Sequence, residues 1–250
     1  MPGPLQNTSF DQNLGAQLPL DALLIDESGQ AVRLGSFFES GRPVILAFVY
    51  YECPMLCGLV MHGLSKALSV LSFDVGKQFD VVAISIDPGE TPAMAEEAEA
   101  LALQRYQRPE TEPNWHFLTA TEPVIERIAG VAGFNYAYDP KTDEYAHPSG
   151  VIVVTPDGVL SQYFYGIEYA PKDLRLALVE ASNSGIGSVI DQIMLYCFQY
   201  DPQLAKYTAV TMRIVRLAGV VFVAVLLTFL WIMMRYERSR SAQTPNLGAA

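Results

Sequence analysis

Short apolar runs and longer amphipathic stretches alternate along residues 15–184, and they predict strands and helices in turn. Runs rich in β-branched and aromatic residues predict buried strands at residues 44–49, 79–86, 114–118, 151–154 and 159–165. Helical spacing, or a high content of Ala and Glu, predicts helices at residues 59–71, 93–106, 121–131 and 171–182. The last two strands flank a tight turn and form a predicted β-hairpin.

An N-terminal β-hairpin is predicted ahead of these elements, with strands in residues 16–25 and 31–34 around a turn-like segment. The order is then hairpin, strand, helix, strand, helix, strand, helix, β-hairpin and helix. Alternating units around a central sheet with an antiparallel end predict a thioredoxin-like α/β fold. We expect residues 1–14 to form an arm and residues 15–184 to form this domain.

A run of 18 residues without charge, 217–234, predicts one C-terminal transmembrane helix, which we expect to span residues 209–236. Trp231 and Tyr236 fall where interfacial aromatic residues are expected. A helix buried in a protein core is the alternative explanation of the same run. Residues 185–208 would form a neck, in part irregular, and residues 237–250 a short tail.

Basic residues at 235–240 favour a cytoplasmic C-terminus and a single-pass protein of the cell (inner) membrane. The soluble domain would then lie on the periplasmic, extracytoplasmic side. That orientation normally needs a cleaved signal peptide, whereas residues 1–20 are polar and lack its apolar segment.

Charge is distributed unevenly along the chain. The net charge is −11, and residues 1–205 carry −16, with 10 basic against 26 acidic residues. A domain this acidic is a poor candidate for binding nucleic acid. Three cysteines are also too few for a disulfide scaffold.

Two of the cysteines follow the predicted strand 44–49, in the segment Cys53-Pro54-Met55-Leu56-Cys57. Pro54 fits the first helical position, which places Cys53 at or next to the N-cap. Thiols four residues apart share one helix face, and the helix N-terminus favours thiolates. The pair therefore predicts a site for a soft metal or for redox chemistry. Two structural cysteines, or a disulfide, are the alternatives.

A third metal ligand would come from one of the histidines at 62, 116 and 147. We expect His62 to point away from both thiols and His116 to be a core or sheet-edge residue. His147 is preferred because it lies in a loop just before a strand, next to Pro148. Cys197, the third cysteine, is interpreted as structural, with a resolving or lipidated cysteine as the alternative.

The chain resembles the Sco (SenC/PrrC) family over residues 15–182. The matching stretches are residues 48–57 (FVYYECPMLC), 84–88 (ISIDP), 114–119 (NWHFLT), and His147 with the hairpin 151–158. Members of this family are copper chaperones with a thioredoxin fold that assist the assembly of cytochrome c oxidase.

The resemblance implies a copper ion bound by Cys53, Cys57 and His147. It also implies delivery of copper to the binuclear CuA centre, or reduction of the cysteines of that centre. We expect Asp87, at the end of the neighbouring strand, to tune the site without binding the metal.

Three features depart from the family pattern. Gly58 stands where the family commonly has proline, the acidic stretch after Asp87-Pro88 is short, and the predicted anchor is at the C-terminus. Family members usually have an N-terminal anchor. The C-terminal anchor predicts a specialised variant, such as a permanent subunit of a respiratory membrane complex of the alternative complex III type.

Three functions follow from these observations, and the sequence leaves open whether the protein is an enzyme. The preferred function is a membrane-anchored copper-binding protein of the respiratory chain. The second is a thiol–disulfide oxidoreductase in which Cys53 and Cys57 are catalytic and act on cysteines of a respiratory partner. The third is a structural subunit with a vestigial site.

Overall fold

The computed structural model describes residues 8–52 and 57–183, together with residues 200–201, 206–207, 226 and 231. Contacts divide the chain into two compact units, residues 1–187 and 188–250. The helices are α1 (Cys57–Ser69), α2 (Pro92–Tyr106), α3 (Glu122–Val131) and α4 (Pro171–Ser182). The strands are β1 (Ser9–Phe10), β2 (Leu23–Ile25), β3 (Ala31–Arg33), β4 (Val44–Val49), β5 (Asp80–Ser85), β6 (Trp115–Leu118), β7 (Phe134–Asn135), β8 (Ala137–Asp139), β9 (Glu144–Ala146), β10 (Gly150–Val154), β11 (Leu160–Tyr165), β12 (Tyr200–Asp201) and β13 (Lys206–Tyr207).

A mixed sheet in the order β11-β10-β4-β5-β6 forms the centre of the first unit. Strand β4 is parallel to β5, and β5 is parallel to β6. Strand β10 is antiparallel to both β4 and β11. The predicted alternation of strands and helices and the antiparallel end of the sheet are therefore confirmed.

Strand β4 is buried on both faces, because its successive side chains point to opposite sides of the sheet. Ile45, Ala47 and Val49 lie in a core cluster with apolar residues of α1, α2 and α4. The alternate residues of β4 lie in a second cluster with α3 and the N-terminal segments. Every residue of β4 is at most 2% exposed, which explains why its sequence is a continuous apolar run.

Helix α1 follows β4 in the chain, and two contacts fix it against the rest of the domain. Gly63 faces the loop between β11 and α4 so closely that a Cβ atom would overlap the carbonyl oxygen of Ile167. At the other end of the helix, the Arg108 guanidinium donates to the carbonyls of Ser69 (2.9 Å) and Leu71 (2.8 Å). A cation at this position satisfies carbonyls that a helix end leaves without partners.

Two short pairings add structure that the sequence did not reveal. Strand β1, inside the predicted arm, pairs with β7, and Phe10 packs edge-on against Phe134 at 5.1 Å. Strands β8 and β9 form a hairpin just before the loop that holds His147. The predicted N-terminal hairpin is present as β2 and β3.

In the second unit, Tyr200–Asp201 pairs with Lys206–Tyr207, in a segment that the sequence predicted to be irregular. Among the described residues, no helix has the length and apolar content needed to cross a membrane. The predicted span 209–236 lies outside the described residues except for Leu226 and Trp231, as does Cys197.

The Gly63 contact gives a stability prediction. Gly63→Ala should lower the free energy of unfolding by roughly 1–3 kcal/mol, because the new methyl group must displace backbone at Ile167. Gly58→Ala is the matched control on the same helix, since a Cβ there meets nothing within 4 Å. The control should be neutral or stabilise by up to about 1 kcal/mol. Urea unfolding of the metal-free protein measures both, and equal effects of the two variants would contradict this packing.

Candidate metal centre

The carboxyl ends of β4 and β5 meet at the same edge of the sheet, because the two strands are parallel. Cys57 begins α1 there, at the end of the segment that follows β4. Residues 53–56 lie outside the described part of the chain, and so does the side chain of Cys57. The proposed positions of both sulfur atoms therefore remain a prediction.

His147 reaches this edge from the other side of β4. In the antiparallel register, Val151 is opposite Ala47, so continuing the register places His147 level with Tyr51. Its ring is partly buried and lies 6.0 Å from the ring of Phe134, which itself stacks on Phe48 of β4 at 4.7 Å. The topology thus brings the preferred histidine to the end of the strand that leads into the cysteine segment.

The protonation state of His147 follows from its surroundings. Burial lowers the pKa of His147 below its ordinary value of 6.5, and the hydrogen bond to Pro148 opposes this shift. The ring is therefore neutral at pH 7. Nδ1 lies 2.9 Å from the Pro148 carbonyl oxygen, and a carbonyl can only accept, so Nδ1 carries the proton. In this tautomer Nε2 carries the lone pair of the ring, the atom through which a neutral imidazole binds a metal.

Tyrosine rings cluster around Tyr145, two residues before His147. Tyr145 packs against Tyr50 at 5.8 Å, Tyr136 at 6.0 Å and Tyr138 at 5.2 Å. Burial raises the pKa values of Tyr136 and Tyr145 to about 12, so both phenols are neutral at physiological pH. A cleft of about 690 Å³ opens beside this cluster. It is lined by Pro88, Glu122, Glu126, Ala129, Gly130, Phe134, Asn135, Tyr136, Tyr138 and Tyr145.

Asp87, the residue expected to tune the site, lies in the turn after β5. Its Oδ1 accepts the N–H of Gly89 at 2.7 Å, which shapes the turn. After burial, its negative charge is one of the causes that raise the pKa values of Tyr50 and Tyr145, so its carboxylate lies within electrostatic range of both phenols. Its effect on a bound metal remains a prediction.

Glu90, in the same turn, is a candidate that the sequence analysis missed. It is 7% exposed, and its carboxylate accepts the backbone N–H of Glu52 at 2.7 Å and the hydroxyl of Ser85 at 2.5 Å. Burial raises the pKa of Glu90, while these hydrogen bonds oppose the shift. Glu52 directly precedes Cys53, so this carboxylate holds the backbone where the cysteine segment starts.

The other two histidines lie on α1 and in β6. His62 is exposed on α1. His116 lies in β6 with its ring 4.4 Å from that of Phe37, and its Nδ1 is 4.0 Å from the carboxylate of Glu27. Within the described residues, which include neither cysteine side chain, no group of three or more His, Cys, Asp or Glu is placed to hold a metal.

Comparison with solved structures shows the fold. The chain is similar to a protein of Aquifex aeolicus VF5 (24% identity, TM-score 0.59), covering 69% of this chain and 95% of that one. It is also similar to Arabidopsis thaliana ScoI with copper bound (20%, 0.52), covering 65% and 96%. A third is BsSco, a member of the Sco family of cytochrome c oxidase assembly proteins in which a disulfide switch was identified (21%, 0.52; 69% and 98%). These similarities confirm the thioredoxin-like α/β fold.

Comparison with protein families gives the classification. No curated protein matches this sequence. The SCO1/SenC family model matches residues 21–180, which is well over half of the chain and contains both Cys53 and Cys57 as well as His147. The chain therefore belongs to the SCO1/SenC family.

Proposed function

We propose that this protein binds one copper ion through Cys53, Cys57 and His147 and supplies it to a respiratory membrane complex. The CuA centre of cytochrome c oxidase is the preferred recipient. The observation that supports the proposal most is the register of β10 against β4: Val151 lies opposite Ala47, and His147 comes four residues earlier, toward the strand end that leads into the cysteine segment. Copper bound to Arabidopsis thaliana ScoI, which has the same fold, supports the choice of metal.

The donor set fits copper. Thiolates and imidazole are the ligands that a cuprous ion prefers, and a cupric ion accepts the same set. His147 meets the requirement for a neutral imidazole, and its Nδ1–H bond to Pro148 fixes the ring, as a supporting hydrogen bond does in metal sites. The bound copper ion would be the cargo. Held by thiolates, it could pass to another set of thiols on a partner.

The chain's own residues would hold and shield the ion. The start of α1 favours thiolate at the cysteine positions because of the partial positive charge of a helix N-terminus. The His147 ring is partly buried beside Phe134, which limits its contact with water. Both effects favour retention of a soft cation until a partner with competing thiolates displaces it.

The second candidate is a thiol–disulfide oxidoreductase that acts on cysteines of a respiratory partner. It is favoured by the position of the cysteine segment between β4 and α1 in a thioredoxin-like fold, and by the disulfide switch identified in BsSco. In this reaction, two electrons and two protons would pass from the dithiol of Cys53 and Cys57 to a partner disulfide.

A membrane anchor at residues 209–236 is part of the proposal, with the acidic domain on the extracytoplasmic side. The 18 uncharged residues 217–234 and the basic residues that follow them support it. An anchor at this end also fits a permanent subunit of an alternative complex III-type assembly.

Copper stoichiometry tests the main proposal. The purified protein should bind one copper per chain, and Cys53→Ala, Cys57→Ala or His147→Ala should each weaken binding by more than about 100-fold, because each removes a metal ligand. Metal analysis after dialysis against a competing chelator measures this. His62→Ala and Cys197→Ser are the matched controls and should keep one copper. One copper per chain in all three ligand variants would overturn the proposal.

Removing the imidazole should separate the two candidate functions. His147→Ala should lose copper, while its dithiol should still equilibrate with glutathione within about twofold of the unaltered protein, since imidazole takes no electrons in that exchange. Thiol counting across glutathione ratios measures the equilibrium. A wild-type chain that binds no copper but shows a reversible two-electron couple would replace the first function by the second.

The proposed anchor has its own test. The full-length chain should stay in membranes after alkaline extraction, and Leu226→Arg combined with Leu227→Arg should release it. Each arginine at the centre of a membrane helix costs about 2.5–3.5 kcal/mol. Leu226→Val with Leu227→Val is the matched control and should be retained. Release of the unaltered chain would contradict an anchor at residues 209–236.

A further inference from the structure

Glu90 occupies an unusual position for a carboxylate. It lies in the turn between β5 and α2, directly before Thr91, the N-cap residue of α2, and only 7% of it is exposed. Glutamate is seldom buried to this extent without partners, because a charged carboxylate loses its hydration. Partners must therefore hold this side chain, and the structure identifies them.

The partners of Glu90 lie at the end of β5 and just beyond the end of β4. Oε2 accepts the hydroxyl of Ser85, the last residue of β5, at 2.5 Å. Oε1 accepts the backbone N–H of Glu52, beyond the end of β4, at 2.7 Å. The backbone of Tyr51 also lies close enough to favour the ionised form, and so it lowers the pKa that burial raises. The carboxylate thus links the ends of the two central strands.

The Glu90 carboxylate links the two chains just beyond the end of the β4–β5 hydrogen-bond ladder. Among the described residues, the last backbone hydrogen bond between the chain at the end of β4 and the chain at the end of β5 runs from Ile86 N–H to the Val49 carbonyl, at 2.8 Å. Beyond it, the chain after β4 has left the ladder, and its N–H groups need other acceptors. Glu90 supplies one of these acceptors in place of a neighbouring strand. Hydrogen bonds to a charged acceptor are stronger than neutral ones, particularly away from water.

We propose that Glu90 is a positioning residue, which fixes the backbone at Glu52 and thereby the place from which Cys53 starts. The inference takes Cys53 and Cys57 as the site, as the proposed function does, and adds a residue that holds the chain where their segment begins. A fixed backbone at Glu52 reduces the number of conformations open to the residues that follow it. Such preorganisation raises the effective concentration of one thiol at the other.

The thiol–disulfide equilibrium of the metal-free protein measures this effect. Its disulfide exchanges with two glutathione thiols to give the protein dithiol and oxidised glutathione, so two electrons and two protons move. Glu90→Ala should shift the equilibrium toward the dithiol by about tenfold, or about 30 mV, since the freed segment holds the two sulfurs together less well.

Glu90→Gln tests whether position or charge is responsible. The amide oxygen can still accept the Glu52 N–H, and its NH₂ can donate to Ser85, whose hydroxyl can turn to the Asp87 carbonyl at 3.1 Å. This variant should therefore stay within about twofold of the unaltered protein. A shift as large as that of Glu90→Ala would show that charge is the cause, and it would overturn the positioning role.

Two further variants keep the test decisive. Ser85→Ala removes the hydrogen bond that orients the carboxylate, and it should shift the equilibrium in the same direction by about threefold. It therefore provides the measurement if Glu90→Ala does not fold. Glu27→Ala is the matched control, because Glu27 is another partly buried carboxylate that accepts a backbone N–H, that of Phe117 at 3.3 Å. It should affect stability and leave the equilibrium unchanged.

The outcomes separate this inference from the proposed function. Glu90→Ala and Ser85→Ala variants that both fold and both equilibrate within twofold of the unaltered protein would overturn the positioning role. A chain that binds no copper would refute the copper proposal. The thiol–disulfide measurement uses no metal, so it would still test the role of Glu90.

Discussion

The pairing of β4 with a neighbour on each edge, together with its burial on both faces, fixes the end of this strand. Its backbone is hydrogen-bonded to β5 on one side and β10 on the other, and its side chains contribute to both core clusters. A strand held in this way can shift only if both cores repack. Whatever follows Val49 therefore starts from a defined position.

Three elements that are attached to this rigid sheet lie at the edge where β4 ends. β5 runs parallel to β4, so the turn with Asp87 and Glu90 lies beside the end of β4. β10 runs antiparallel, so the loop before it carries His147 to the same edge. Tyr51 is tied to the third parallel strand by the hydrogen bond from its hydroxyl to the Leu118 carbonyl, at 3.0 Å. Loops on a rigid scaffold are the usual location of binding residues.

Most of the central fold was predictable because its signals are local. The apolar runs of β4, β5 and β10 mark strands buried on both faces, and proline and threonine mark the starts of α2 and α3. The pairing of β1 with β7 was missed because it joins two-residue segments more than a hundred residues apart. No local pattern specifies a contact of that kind.

The candidate site was predicted from cysteine spacing and from the loop position of His147, which are both visible in the sequence. The ligand set itself stays a prediction. Glu90 was missed because Asp-Pro-Gly-Glu resembles an exposed turn, and only the folded chain turns its side chain inward to Ser85 and Glu52. The family resemblance supplied the metal, whereas the residues alone left redox chemistry open.

X-ray absorption at the copper edge of the loaded, full-length protein tests the central claim most directly. The account predicts two sulfur ligands and one imidazole nitrogen, with the imidazole scattering lost in His147→Ala and kept in His116→Ala. A copper ion without sulfur ligands, or with imidazole scattering that survives in His147→Ala, would contradict it.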